Sequence, residues 1–306
     1  MSDATGNWSE ELKINKIGIV GVGLLGGSIG LAVKSMAPDV EVLGIGRREE
    51  TLEKALKLKA IDRFTLDMNH GVAGCDLVVI CTPIHTIAPI FASIRPFLKP
   101  GALVTDVGST KEMLVSKIEC EPGGRDHFVG SHPMAGSEQS GVEAAVESLY
   151  RRATIVITRT DATSDSSIQR LKAFWSALGG TVEIMTPADH DNMVAYTSHL
   201  PHAVSSCLSH SLDQRFKPGD LRARVYGNGL LDTTRISEGD PAIWVDILTS
   251  NRENVLESIA KFRESLDFLE HSLKGERDDN LSNCLNIGKL FRSGLKSSPV
   301  DGDNFE

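Results

Sequence analysis

The sequence predicts an α/β domain built on a doubly wound parallel sheet, followed by an all-α domain. Two observations lead to this prediction. Short apolar runs alternate with helical patterns through about the first 185 residues, and after Thr186 no convincing strand pattern follows. Strands that are apolar almost without interruption are typical of parallel sheets that helices cover on both faces. We therefore expect a change of architecture near residue 186.

The strands define the extent of the first domain, residues 1–186. Pro187 suits the first turn of a helix, so we place a helical domain over residues 187–296. The polar residues 297–306 are expected to form a disordered tail. The predicted strands are Lys16–Val20, Val40–Ile45, Leu77–Cys81, Leu103–Val107, Phe128–Gly130, Thr154–Thr158 and Val182–Met185.

The helical domain contains a seven-residue apolar repeat that places large side chains on one helix face. One interpretation is an intrachain core. The other is a subunit interface, and it leads us to expect a homodimer through the C-terminal helices. The repeat consists of Leu248, Val255, Ile259, Phe262, Leu266, Leu269 and Leu273.

Charge and composition narrow the functional classes. With 32 Lys plus Arg against 41 Asp plus Glu, the net charge is −9, which argues against general binding of nucleic acid. It leaves room for an anionic small molecule held by local basic groups. Five cysteines without a CxxC pair favour reduced thiols. No export signal and no apolar run of about 20 residues is recognisable, so we expect no membrane insertion and a cytoplasmic location.

A glycine motif follows the first predicted strand and opens an apolar helical segment. In a Rossmann-type fold the first glycine makes the turn, the second lets the backbone approach a pyrophosphate, and the third allows close packing of helix on strand. The helix N terminus also favours the negative charge. The motif therefore predicts a site for a dinucleotide cofactor. We expect the cofactor to contact residues at this turn and after the third predicted strand, namely Gly21, Gly23, Leu24, Leu25, Gly26, Thr82 and Pro83.

The end of the second strand bears on the choice between NAD and NADP. An Asp or Glu about 20 residues beyond the motif would hold the ribose hydroxyls of NAD. Here that position is Gly46, followed by Arg47 and Arg48. A guanidinium pairs well with a 2′-phosphate, so we predict a preference for NADP over NAD. Two alternatives stay open: the arginines form only a solvated helix start, or Glu49 or Glu50 reaches the ribose.

Two further polar segments follow neighbouring strands, at residues 106–111 and 131–138. The carboxyl ends of parallel strands meet at one edge of a sheet, where ligands bind. His132 and Ser109 could therefore lie within hydrogen-bonding reach, as a general base and its orienting partner require. Alternatively, the serine is a helix cap and the histidine is satisfied by the backbone.

For several other polar residues we expect structural roles or no metal binding. We expect Lys111 to be an exposed helix lysine, with contact to a ligand or a catalytic role as alternatives. Asp189–Asp191 is interpreted as an acidic cluster at a helix start rather than a triad. His199 and His202 share a helix face, but no nearby carboxylate or cysteine completes a zinc set, so no metal is expected.

Five motifs, taken together, resemble those of the prephenate/arogenate (cyclohexadienyl) dehydrogenases of tyrosine biosynthesis. The resemblance extends from about Lys16 to about Leu273. The motifs, in chain order, are DVGSTK (residues 106–111), SHPMAGSE (131–138), TPADHD (186–191), SHLPHAV (198–204) and DTTRISEGDPAIWVDI (232–247).

The resemblance implies oxidative decarboxylation of prephenate and/or arogenate to 4-hydroxyphenylpyruvate and/or tyrosine, with hydride transfer to NADP. It implies that His132 is the catalytic base for the ring hydroxyl, that Ser109 positions this histidine, and that Arg235 clamps the ring carboxylate. It leaves open which of the two substrates is used. The other residues that it implies in the substrate pocket are His199, His202, Ser137 and Glu138.

Two other classes are considered. One is another two-domain NADP-dependent oxidoreductase, of the β-hydroxyacid dehydrogenase or imine reductase type. The other is an NADP-binding sensor without catalytic activity. Neither class needs a strand-end histidine such as His132 together with an arginine such as Arg235. The presence of both residues therefore favours a prephenate/arogenate dehydrogenase.

Overall fold

The fold is given by a computed structural model that describes residues 13–136, 139–216 and 225–297. Its first part is a five-stranded, fully parallel sheet with the strand order β3-β2-β1-β4-β5. The order reverses between β1 and β4, and in sheets of this kind ligands bind at such a reversal. The strands are β1 (Lys16–Val20), β2 (Glu41–Ile45), β3 (Arg63–Thr65), β4 (Leu77–Ile80) and β5 (Leu103–Asp106).

Helices cover both faces of this sheet, and each face has its own cluster of buried apolar side chains. Ile17 and Ile19 belong to one cluster, whereas Val78 and Ile80 belong to the other. All four are fully buried, and each such side chain contributes about 1.5–3 kcal/mol. The helices are α1 (Leu24–Met36), α2 (Glu49–Lys57), α3 (Met68–Gly71), α4 (Ile84–Ile94), α5 (Glu112–Glu119) and α6 (Gly124–His127).

A second, three-stranded sheet follows, with α7 (Asp165–Ala177) between its last two strands. β6 runs antiparallel to β7, and β8 runs parallel to β7. A single bridge between Val104 and Phe128 connects the chain just before β6 to β5. The strands are β6 (Ser131–Pro133), β7 (Thr154–Thr158) and β8 (Thr181–Met185).

The described residues after β8 form helices. Contacts divide the chain into one compact unit that ends at Asn251 and a second that begins at Arg252. The boundary near residue 186 stays a prediction. Among the described helices, none is both long and apolar enough to cross a bilayer. The segments are α8 (Pro187–Val194), a π-helical turn (Ala195–His199), α9 (Leu200–Arg215), α10 (Asn228–Thr234), a 3₁₀ turn (Arg235–Glu238), α11 (Pro241–Ser250), α12 (Arg252–Lys274) and α13 (Asp278–Ser297).

The predicted fold class is confirmed, while several element predictions were wrong. Arg63–Thr65 was missed because a three-residue strand leaves no clear periodicity. Phe128–Gly130 forms only the isolated bridge, and the strand that follows is antiparallel to its neighbour. β8 is largely exposed rather than covered on both faces. Apolar runs indicate strands but do not give their partners or directions.

The apolar repeat also differs from the prediction. Leu248 lies on α11, which ends at Ser250, whereas the other members of the repeat lie on α12. Val255 is buried, whereas Leu266 and Leu273 are 49% and 58% exposed, so the described residues cover only part of this face. Of the predicted tail, residues 298–306 lie outside the described residues.

Candidate active site

The glycine motif forms a tight turn between β1 and α1, and its three glycines meet three different constraints. Gly21 has a φ of +92°, a conformation that side chains other than glycine's rarely adopt. A Cβ on Gly26 would lie 2.3 Å from the carbonyl oxygen of Gly21, so only glycine allows this close packing. A Cβ on Gly23 would meet no described atom within 4 Å. The backbone at Gly23 therefore faces open space.

The start of α1 is suited to an anion. No side chain caps this helix at Gly23, so its first N–H groups lack a side-chain partner. Leu24 and Leu25 are half-buried in its first turn. Thr82 lies against the turn, because a Cβ on Gly21 would come within 2.8 Å of its methyl group. The residues at this edge of the sheet fit a dinucleotide phosphate.

The remaining residues predicted to bind the cofactor lie on the same edge. Pro83 follows β4 and directly precedes α4. Arg47 and Arg48 follow β2, are exposed, and form no salt bridge within the described parts of the chain. Of the two glutamates that could replace them, Glu50 pairs with Lys54 at 3.3 Å. Two guanidinium groups are thus available at the strand end where the sequence lacks a carboxylate.

His132 lies on β6 and is 8% exposed. Its Nδ1 lies 2.8 Å from Nε2 of His190, whereas no hydrogen bond joins its Nε2 to a described residue. Burial holds the pKa of His132 well below its ordinary value, and the nearby His190, Lys111 and His199 lower it further. The ring is therefore neutral at neutral pH and can accept a proton.

The contact continues from His190 to Asp191. Nδ1 of His190 lies 2.7 Å from Oδ1 of Asp191, and both residues are 1% exposed. The Asp191 carboxylate also accepts the backbone N–H groups of Lys111 at 2.7 Å and Glu112 at 2.9 Å, and so holds the start of α5. The segment does lie at a helix start, where Thr186 caps α8 by accepting the N–H of Asp189, but Asp191 is buried against His190 and does not belong to an exposed acidic cluster.

Lys111 is fully buried, so the expectation of an exposed helix lysine was also wrong. Its ammonium group pairs with the Asp106 carboxylate at the end of β5. Asp106 accepts the N–H groups of Gly108 at 2.7 Å and Ser131 at 3.1 Å as well. Burial lowers the pKa of Lys111, and the attraction of Asp106 opposes this shift. The pair joins β5 to β6 directly beside His132.

Ser109 is half-buried in the loop between β5 and α5. This loop is held by the hydrogen bond from Gly108 to Asp106 and by a 2.9 Å contact between Thr110 Oγ1 and Ser250 Oγ. In the described residues, the partner of His132 is His190 rather than Ser109. The role of Ser109 stays a prediction.

A π-helical turn brings His199 into the interior, where it is 1% exposed. Such turns within helices are frequent at functional sites. The Nδ2 group of Asn251 lies 3.2 Å from Nδ1 of His199 and donates to the carbonyl oxygen of Asp191 at 2.7 Å. Burial lowers the pKa of His199 to about 4. Asn251 thus joins His199 to the helix that carries His190.

His202 stacks on Trp244, with ring centroids 3.5 Å apart and planes 8° apart. Nδ1 of His202 and Oγ of Ser205 are buried without a hydrogen-bond partner in the described structure. An unsatisfied buried polar group costs about 1–3 kcal/mol, so these two atoms are candidates for contact with a ligand. Burial lowers the pKa of His202. The sequence interpretation missed Trp244, although it lies within a quoted motif.

Arg235 begins the 3₁₀ turn after α10 and is exposed. It forms no salt bridge with any described residue. A 3.1 Å contact between Ser237 and Ser209 holds this turn against α9. Ser137 and Glu138, the other two predicted pocket residues, lie outside the described residues.

Two family models match this chain and together span most of it. The model "Prephenate dehydrogenase, nucleotide-binding domain" matches residues 29–184. The model "Prephenate dehydrogenase, dimerization domain" matches residues 186–287.

Individual relatives agree with these matches. Prephenate dehydrogenase of Bacillus subtilis (strain 168) is 33% identical over 278 residues, which cover 90% of this chain and 75% of that protein. Cyclohexadienyl dehydrogenase of Zymomonas mobilis is 29% identical over 283 residues, which cover 92% of this chain and 96% of that protein.

Two solved structures have a similar fold. Prephenate dehydrogenase from A. aeolicus, in complex with hydroxyphenyl propionate and NAD+, superimposes with a TM-score of 0.87 at 33% identity, covering 92% of this chain and 99% of that one. Arogenate dehydrogenase from Synechocystis gives a TM-score of 0.79 at 31% identity, covering 92% and 99%.

Proposed function

The chain belongs to the prephenate/arogenate dehydrogenase family, and we propose that it oxidatively decarboxylates prephenate and/or arogenate to 4-hydroxyphenylpyruvate and/or tyrosine with NADP. Family membership makes it an oxidoreductase with a nicotinamide cofactor. It confirms the resemblance that the motifs indicated. The choice of substrate and the preference for NADP are parts of the proposal.

The observation that supports the proposal most is the state of His132. Oxidation of a secondary alcohol needs a base for the hydroxyl proton. His132 is buried and neutral, its Nδ1 is engaged by His190, and its Nε2 has no hydrogen bond to a described residue. We propose that Nε2 accepts the proton of the ring hydroxyl and that Ser109 helps to position that hydroxyl. The bound nicotinamide accepts the hydride from C4 of the substrate ring.

Loss of the ring carboxylate as CO₂ follows readily because it makes the ring aromatic. Before it leaves, the carboxylate needs a partner, and a guanidinium can hold it with two hydrogen bonds. Arg235 is exposed and free of salt bridges in the described chain, which supports this role. We propose that the pocket is completed by His199, His202, Ser137 and Glu138.

The preference for NADP rests on Arg47 and Arg48. Their guanidinium groups lack ion-pair partners among the described residues and follow the strand end where NAD-binding proteins place a carboxylate. The A. aeolicus structure is a complex with NAD+. We expect the double variant Arg47→Gln/Arg48→Gln to lower kcat/KM for NADP by about 10- to 100-fold, the effect of lost charged hydrogen bonds.

The control for this variant is Lys57→Gln/Lys59→Gln at the other end of α2, where two positive charges are likewise removed but away from the strand end. Activity with NAD should change little in either variant. A wild-type enzyme that clearly prefers NAD would contradict the assignment.

We further propose a homodimer through the C-terminal helices that works in the cytoplasm on small anionic substrates. The match to a dimerization domain and the exposed apolar side chains of α12 and α13 support the dimer. Leu290 and Phe291 on α13 are 62% and 70% exposed in the single chain. Light scattering should give twice the chain mass of 33.1 kDa, and a monomer would contradict this proposal.

A steady-state assay tests the reaction. Prephenate and arogenate are each supplied with NADP and with NAD, and formation of reduced cofactor and CO₂ is measured in all four combinations. We expect turnover of at least one substrate, faster with NADP. Failure of both substrates with both cofactors would overturn the proposed function.

A further inference from the structure

A buried chain of three side chains extends from His132 through His190 to Asp191. We propose that His190 and Asp191 are positioning residues that fix His132 in the tautomer that a base needs, and that His190 holds a proton passed on by His132 during turnover. This inference rests on the proposed function, because it assigns His132 the role of base.

The directions of the hydrogen bonds follow from the Asp191 carboxylate, which accepts hydrogen bonds. We therefore assign the hydrogen that faces Asp191 to Nδ1 of His190 and leave Nε2 of that ring without one. Nε2 of His190 is then an acceptor. Nδ1 of His132, 2.8 Å away, must therefore be the donor. This leaves Nε2 of His132 without a hydrogen and ready to accept one.

The tautomer depends on Asp191 staying in place. Its two oxygens accept the N–H groups of Lys111 and Glu112 in addition to His190, and its own carbonyl oxygen accepts from Asn251. The carboxylate is thus fixed by α5 and by the end of α11. A fixed acceptor in the interior orients both imidazole rings through a single line of hydrogen bonds.

The same line can move a proton. Nε2 of His132 takes the hydroxyl proton as C4 loses its hydride to the nicotinamide, so the alcohol is oxidised to a dienone and the cofactor is reduced. His132 then passes its Nδ1 proton to Nε2 of His190. The positive charge comes to lie on His190, beside the Asp191 carboxylate.

Decarboxylation reverses this movement. When the C1–carboxylate bond breaks, its electron pair enters the ring and the C4 oxygen becomes a phenolate. The phenolate takes a proton back from Nε2 of His132, which recovers its Nδ1 proton from His190. No proton is released overall: the dicarboxylate substrate and the oxidised cofactor give the phenol, CO₂ and the reduced cofactor.

Burial of the chain fits this balance. His190 and Asp191 are each 1% exposed, so the line of hydrogen bonds ends inside the protein. Among the described residues, the other charged or titratable groups that face this line are Lys111, which pairs with Asp106, and His199. A reaction that returns its proton needs a place to hold it for part of the cycle, and not an exit to solvent.

The first test is kinetic and uses His190→Gln, which keeps a hydrogen-bonding side chain but cannot take up a proton. We expect kcat to fall by about 10- to 100-fold, part of what general base catalysis contributes, with the KM values and the Tm close to those of wild type. Asp189→Asn is the control, because Asp189 is an exposed carboxylate on the same helix. It should leave kcat unchanged.

The second test reads the tautomers without any turnover. Protein labelled with ¹⁵N-histidine is studied by NMR near neutral pH, and the His132 signal is identified by its loss in His132→Asn. We expect a hydrogen on Nδ1 and none on Nε2 of His132. A His132 that carries its hydrogen on Nε2 would overturn the inference, even if His190→Gln failed to fold and the kinetics could not be measured.

The outcomes separate this inference from the proposed function. Wild-type protein that oxidises neither substrate refutes the function, while the NMR result still decides the tautomer. Active wild-type protein together with a His190→Gln variant of unchanged kcat refutes the relay and leaves the proposed function standing.

Discussion

The glycine turn follows β1 of the five-stranded sheet, whereas the hydrogen-bonded group of His132, His190 and Asp191 includes β6 of the three-stranded sheet, and the two regions are built in opposite ways. At the turn, the first N–H groups of α1 have no side-chain cap, and Gly23 faces open space. In the chain, by contrast, His190 and Asp191 are buried and hydrogen-bonded. Within this group of three side chains, Nε2 of His132 is the nitrogen that no hydrogen bond joins to a described residue.

The two regions differ because anion binding and proton transfer need different groups. An anion is bound by backbone groups that have no competing partner, so small residues are needed there. A proton is moved by a side chain that must present one nitrogen and not the other, so its remaining polar atom has to be fixed. Substitutions in the two regions should therefore affect different measured quantities.

The largest effect on kcat is expected from a substitution of His132. His132→Asn keeps a polar side chain but removes the base, so kcat should fall by about 10²- to 10⁴-fold. Affinity for the cofactor should not change, because the glycine turn is untouched. Steady-state kinetics and cofactor titration measure the two quantities. An active variant with the pH profile of wild type would end the assignment of His132.

A pair of variants tests whether the turn is built as described. In Gly26→Ala the new methyl group would lie 2.3 Å from a backbone oxygen, so we expect a loss of stability of about 1–3 kcal/mol and weaker cofactor binding. Gly23→Ala places the same methyl group in open space, so only cofactor binding should weaken. Thermal unfolding and cofactor titration distinguish the two. Equal losses of stability would contradict the separate roles of these glycines.

Arg235 belongs neither to the glycine turn nor to the group around His132, because it is assigned to substrate binding. Arg235→Gln should raise KM for the substrate by about 10-fold, since a charged hydrogen bond is lost, with a smaller effect on kcat. Arg263→Gln, an exposed arginine on α12, is the control. A variant with normal KM and greatly reduced kcat would contradict the clamp.

The smallest effect concerns stability against pH. Burial lowers the pKa of His132 well below its ordinary value and that of His199 to about 4. Below about pH 6.5 the unfolded chain therefore binds protons that the folded chain does not. Stability is full above that pH and falls by up to about 1.4 kcal/mol per pH unit for each such histidine as the pH is lowered.

Denaturant unfolding of wild type, His199→Asn and the exposed-site control His210→Asn at about pH 5 and about pH 7.5 checks this linkage. His199→Asn should lose less stability between the two pH values than wild type or the control. A loss equal to that of wild type would show that His199 does not contribute to it.

The sequence predicted the glycine turn much better than the hydrogen bonds from His132 to His190 and Asp191, for a physical reason. Gly21, Gly23 and Gly26 act through local backbone geometry, which a short motif records. His190 meets His132 because α8 contacts β7, the strand that pairs with β6, and 58 positions separate the two residues. Their segments were singled out, but no spacing rule joins them.

Two further residues show the same limit. Lys111 was expected to be exposed, whereas its side chain is fully buried against Asp106. Asn251 has no motif around it, yet it connects His199 to the backbone of Asp191. Burial of a polar side chain depends on partners from distant segments, and a single sequence does not identify them.

The pH dependence of kcat/KM tests most directly whether a buried, neutral His132 is the base. Burial lowers the pKa of His132, so the enzyme should keep its activity as the pH falls through about 6.5, the ordinary histidine value, and lose it only at lower pH. This acid limb should be absent from the residual activity of His132→Asn. An acid limb at or above the ordinary histidine value, or one that persists unchanged in His132→Asn, would contradict the account.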